Sequence, residues 1–139
     1  MKCIKYYEQR YLLLLVVMML LSACASTPPK IPSIEERATA RWDMLFSGDL
    51  AGAYEFLSPG YRSSVSSLQY QRSILLKQVR WISAEYKSSD CEETTCKVKF
   101  LLEFRVVGAL PGVKSYVGSM DIEELWILID GLWYLVPEQ

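Results

Sequence analysis

The hydrophobic period of this chain changes once, near Val79, and that change limits what the chain can become. Before it, apolar residues recur every three to four positions; after it, they alternate. A helix brings i, i+3 and i+4 to one face, whereas a strand brings i and i+2 to one face. The order therefore predicts helices first and strands second. Segregated runs of this kind make an α+β domain, with the helices gathered on one face of an antiparallel sheet.

In the helical half, Ser33-Ile34-Glu35-Glu36 is a capping box, with a serine at the cap and a glutamate three residues on. Ile34, Ala38, Trp42, Leu45 and Phe46 follow at helical spacing, and Gly48 marks the stop. Asp49 caps a second short helix, Leu50 to Leu57, which Ser58-Pro59-Gly60 is expected to break. Tyr61 to Val65 reads as a further turn. Ser66 to Gln69 repeats the capping pattern and opens a third helix to about Lys77.

In the strand half, Val79 and Trp81 share one phase and Ile82, Ala84 and Tyr86 share the other, which predicts a β-bulge between them. The first strand is expected to end near Ser88. Val98, Phe100, Leu102, Phe104 and Val106 then alternate with Lys97, Lys99, Glu103 and Arg105, so one face is buried and the other wet. A loop containing Pro111-Gly112 is expected next, over Gly108 to Gly118. Met120 to Ile129 forms a third strand, Asp130-Gly131 a two-residue turn and Leu132 to Val136 a fourth strand.

The first residues speak of address rather than fold. Lys2, Lys5 and Arg10 precede an apolar run from Tyr11 to Leu21, which ends in Leu21-Ser22-Ala23-Cys24. A basic start, a short apolar stretch and small residues at the cut describe a secretory signal. A spanning helix needs about 20 apolar residues, and this run has about half that. Leu21-Ser22-Ala23-Cys24 resembles the lipobox of bacterial lipoproteins. That resemblance implies cleavage before Cys24 and acylation of its sulfur and new amine, giving a signal over 1–23 and a lipidated, Pro-rich tether over 24–32. A single domain follows over 33–139. Each buried methylene contributes about 0.8 kcal/mol, so several chains on one residue hold permanently. Ala25, where aspartate would signal inner-membrane retention in enteric-type lipoproteins, implies the outer membrane, with the domain facing the periplasm.

Composition narrows the chemistry. The chain has no histidine, which removes imidazole bases and most metal sites. No cofactor and no metal is expected. The mature part carries twelve Lys and Arg against fifteen Asp and Glu, without a run of like charge, so nucleic acid is not an expected partner. Cys91 and Cys96 stand at hairpin spacing, and in an exported chain two such cysteines read as a disulfide.

Arg41-Trp42-Asp43, Gly48-Asp49-Leu50, Tyr54, Leu57-Ser58-Pro59 and Tyr61-Arg62 precede a C-terminal Glu124-Leu125-Trp126 and Asp130-Gly131-Leu132-Trp133-Tyr134. This order is similar to that of the nuclear transport factor 2-like superfamily, in which a curved four-stranded sheet closes around helices as a cone; a cystatin-like domain is the nearest alternative. The resemblance spans about residues 34 to 137. It implies a cone whose candidate lining is Trp42, Phe46, Tyr54, Trp81, Phe104 and Trp126. These rings could enclose a small apolar ligand or simply fill the core, and filling is the expectation. The superfamily includes ketosteroid isomerase, whose chemistry needs a carboxylate base and a protonated donor in an apolar pocket. Asp121, Glu103 and Glu124 are the strand acids and Tyr54 the helical phenol, but no isomerase motif matches residue by residue, and strand carboxylates are expected on the wet face. The expectation is a non-catalytic, membrane-anchored binding module.

The last hairpin is apolar on both faces. One set, Leu125, Ile127, Ile129, Leu132, Tyr134 and Val136, needs a cover other than the helices. A second copy, another envelope protein, the Gly108 to Gly118 loop or the tail could supply it.

Overall fold

The structure is a computed structural model that describes residues 31–110 and 113–138. The expected leader, Cys24 and the expected tether as far as Lys30 lie outside the described residues. Helix α1 spans Ile34–Ser47. The Ser33 hydroxyl accepts from the Glu36 N–H at 3.1 Å, and the Glu36 carboxylate accepts from the Ser33 N–H at 2.9 Å. Gly48 ends the helix at φ 79°, a left-handed conformation that costs a glycine little.

Helix α2, Leu50–Tyr54, starts at the Asp49 cap but stops three residues short of the predicted Leu57. The reason is tertiary. Phe56 to Ser58 straighten and pair with the last strand: Ser58 N–H donates to Leu135 O at 2.7 Å, and Leu135 N–H donates to Phe56 O at 2.8 Å. Ser58-Pro59-Gly60 then begins a helix instead of breaking one. In α3, Pro59–Ser64, the Ser58 hydroxyl caps the Tyr61 N–H, and Pro59 occupies the first turn, where a missing N–H costs nothing. Helix α4, Ser67–Leu75, opens on the predicted Ser66–Gln69 capping box and ends two residues before Lys77.

Strands β1 (Val79–Cys91), β2 (Thr95–Leu110), β3 (Val113–Ile129) and β4 (Leu132–Val136) form one antiparallel sheet in chain order. The chain is thus α+β, with a four-stranded antiparallel sheet and short helices. The predicted bulge is present: Trp81 faces Phe104 and Ser83 faces Glu103, so Ile82 is the extra residue. A second irregularity, between Tyr86 and Ser88, has no phase switch to announce it, and β1 runs on to Cys91 rather than ending near Ser88. Asp130 and Gly131 both take positive φ, 50° and 79°, and the hairpin pairs in the predicted register from Ile129↔Leu132 to Leu125↔Val136.

The expected loop from Gly108 to Gly118 is mostly strand: β2 continues to Leu110 and β3 begins at Val113. Gly118 stands opposite Phe104, and a Cβ there would come within 3.1 Å of the Phe104 ring. That glycine marks a close approach inside a ladder, not a loop.

Cys91 and Cys96 face each other across the β1–β2 turn, with Cα atoms 4.0 Å apart, and form a disulfide. The loop it closes is short, so the chain-entropy estimate gives about 2 kcal/mol. Replacing both cysteines by serine is expected to lower stability by about that amount, read as a fall in urea midpoint relative to the oxidised parent.

Candidate functional site

The inner face of the sheet carries Val98, Phe100 and Leu102 from β2 and Trp126 from β3, all buried under α1. The same phase of β3 that buries Trp126 also buries Glu124, because the two stand at i and i+2 on one strand. On α1, Arg41 shares the buried stripe with Ala38, Trp42 and Leu45. An acid and a base are therefore both driven into the interior, and they meet: Arg41 Nη1 donates to Glu124 Oε1 at 2.8 Å, with the two residues 7% and 9% exposed. The other carboxylate oxygen, Oε2, accepts from Trp126 Nε1 at 3.1 Å.

This corrects the expectation that strand carboxylates lie on the wet face. It holds for Glu103 and Asp121, which are exposed, and fails for Glu124. Burial pushes the Glu124 carboxyl above its ordinary range, against the opposing pull of Arg41 and the tryptophan N–H groups. Tyr70 is buried beside the pair, and burial raises its phenol as well. Sequence reasoning had singled out Tyr54 as the helical phenol, but its hydroxyl donates to Val65 O at 2.8 Å, which fixes the α3–α4 connection. Arg41 and Tyr70 were missed. The available signal was a charged residue at the apolar spacing of α1, matched by one at the apolar spacing of β3.

The six predicted lining rings fall into separate neighbourhoods. Trp42 stacks near Phe46, with centroids 5.9 Å apart, and meets Trp81 edge-on at 5.4 Å. Phe46 and Trp81 share the wall of a cleft of about 390 Å³ at the α1–α4–β1 corner. Tyr54 packs against Tyr70, Phe104 against Tyr116, and Trp126 is tied to Glu124. Trp42, Tyr54 and Trp126 are buried core residues, whereas Phe46 is exposed.

The other candidate surface is the outer face of β3–β4. Leu125 is exposed, while Ile127, Ile129, Leu132, Tyr134 and Val136 are half-buried. The Arg37 and Arg62 guanidinium carbons lie 5.7 and 5.9 Å from the Tyr134 ring centre. Ile127 and Val136 share a cleft of about 570 Å³ with Ser58, Tyr61, Val65 and Pro137. Part of the cover thus comes from α3 and the tail. The segment offered as a possible loop cover is strand to Leu110 and again from Val113. Among the described residues no cluster of His, Cys, Asp or Glu could hold a metal, and no helix is long and apolar enough to cross a membrane.

No protein-family model and no curated protein matches the chain. Among solved structures, the chain is similar to the solution structure of a SEC-C motif containing protein from Rhodopseudomonas palustris. The TM-score is 0.60 and the identity 16%, over 77% of each chain. At that identity the likeness speaks to the fold alone.

Proposed function

We propose that this chain is a lipid-anchored protein of the bacterial envelope whose cone-shaped, nuclear transport factor 2-like domain binds a protein partner and carries out no catalysis. The observation that carries the reading is the state of the interior acid. Glu124 is held by Arg41 and by Trp126, so both oxygens of the interior carboxylate are engaged. Isomerase-like chemistry would need a free base. The partner surface in this reading is the outer face of β3–β4, where Leu125, Ile127 and Val136 leave apolar area beside the α3 cleft. A second copy or another envelope protein would cover it.

The address rests on Leu21-Ser22-Ala23-Cys24 and is supported by the Cys91–Cys96 disulfide, a bond favoured outside the reducing cytoplasm. In this reading the lipid is on Cys24 and the domain is at the periplasmic face of the outer membrane. Mass spectrometry of the native product is expected to find acylated Cys24 as the first residue. An intact leader or a bare thiol would overturn the address. Leu125→Glu is expected to abolish partner capture with the fold retained, and capture unchanged by it would overturn the partner surface.

A further inference from the structure

Five large apolar side chains stand exposed around one corner of the domain: Phe46 at the end of α1, Leu75 at the end of α4, Leu76 at its cap, and Val79 and Ile82 at the start of β1. Leu75 and Leu76 are 70% and 82% exposed, and with their neighbours they make a patch rather than isolated surface leucines. They project where the chain turns from α4 into β1. Arg72 lies three and four residues before them, on the same side of the helix.

The charge of this corner is one-sided. Between Glu55 and Glu85 the sequence holds no acid, yet it carries Arg62, Arg72, Lys77 and Arg80. Arg62 pairs with Glu55. Arg72, Lys77 and Arg80 make no ion pair among the described residues, and Lys77 Nζ lies 5.3 Å from the Trp81 ring centre; on the sheet, Lys87, Lys97 and Lys99 are paired and Lys114 is not. Arg80 even stands opposite Arg105 in the β1–β2 register, a like-charge pairing that costs stability. Asp49 borders the cleft, but its carboxylate accepts from the Gly52 N–H within its own turn.

From this we infer that the α4–β1 corner docks on an anionic lipid surface, with Leu75 and Leu76 entering the headgroup region and Arg72, Lys77 and Arg80 reading lipid phosphates. Exposed apolar side chains ringed by uncompensated cations are the chemistry that such a surface selects. A second copy fits less well. A twofold contact would set Arg72, Lys77 and Arg80 against the same cations of the other copy. The geometry allows docking from the proposed anchor, on which this inference rests for its local concentration. Residues 25–33 reach about 28 Å when extended, and α1 is about 21 Å long. The corner at the far end of α1 can therefore come down to the bilayer that holds Cys24.

The test uses the full native chain on phosphatidylethanolamine–phosphatidylglycerol vesicles and on phosphatidylcholine vesicles, read by hydrogen exchange of the Leu75 to Ile82 amides. Slower exchange on the anionic vesicles alone, reversed by salt, is expected. Each cation near an anionic leaflet strengthens association roughly fivefold. K77Q/R80Q should therefore reduce the docked fraction roughly twenty-five-fold relative to the undocked, and L75S/L76S should abolish the protection with the circular dichroism unchanged. Equal exchange on both vesicles overturns the inference. So does protection that grows with protein concentration when no vesicles are present, which would indicate a second copy. The mass of the same sample reports the lipid on Cys24 separately. Anion-dependent protection in an unlipidated chain would leave the docking standing and the anchor refuted, and a lipidated chain without protection would do the reverse.

Discussion

Glu124→Ala is expected to lower stability by about 3–5 kcal/mol, because it strands the buried Arg41 charge and leaves the Trp126 N–H without its acceptor. Arg41→Ala should cost a similar amount. The double variant Arg41→Met/Glu124→Leu is expected to match the parent or exceed it by about 1–4 kcal/mol, since apolar replacements avoid desolvating two charges. Urea unfolding of the four proteins gives the coupling directly. If the double loss equals the sum of the single losses, the pair does not act as a unit. The pH dependence follows from the raised Glu124 carboxyl. The folded chain holds that proton more readily than the unfolded chain does. The stability from this group is therefore full below the ordinary carboxyl value of 4.5 and is lost as pH rises through the higher folded value. Glu124→Gln should flatten the stability profile between those two values. An unchanged profile would mean that the carboxylate is not desolvated.

Phe100→Ala is the second large expected effect, at about 3–5 kcal/mol. Phe100 is completely buried at the centre of β2, with the Trp42 and Tyr86 rings 6.1 and 5.9 Å from its own. The two remaining rings cannot close over the gap without breaking their own contacts, so the cavity persists and its cost is paid in full. The urea midpoint should fall while the slope of the transition stays the same. Phe100→Leu, which keeps most of the volume, should cost less than about 1.5 kcal/mol. Against a typical stability of about 5–15 kcal/mol, the alanine variant stands close to unfolding.

Local chemistry was legible wherever it acts alone. Ser33 and Ser66 announce their helices, because a hydroxyl cap and its returning Glu or Gln are contained in four residues. The alternation of Val98 to Val106 marked the buried face of β2, and the Asp130-Gly131 turn set the β3–β4 register down to individual pairs. What stayed hidden depended on distant partners. Leu57 leaves a helical pattern because Leu135 offers backbone bonds across the fold. Ser115, Gly118 and Ser119 have weak strand preference, yet β2 supplies a ladder for them. Pro59 reads equally as a stop or a first turn until Ser58 is seen to cap. The candidate site suffered most. The aromatic positions were visible, but which rings share a neighbourhood depends on how the sheet curves, and Glu124 looked like any strand acid until Arg41 was found above it.

The bridge between Leu57 and Leu135 ties the first half of the chain to its last strand. In the proposed exported chain, Phe56 to Ser58 cross the membrane before β4 does, so their backbone groups and Leu57 wait for Leu135 until the final residues arrive. Removing the last hairpin would therefore do more than shorten the sheet: it would leave the newly made chain with an unsealed seam, open to whatever holdase or protease reaches it first.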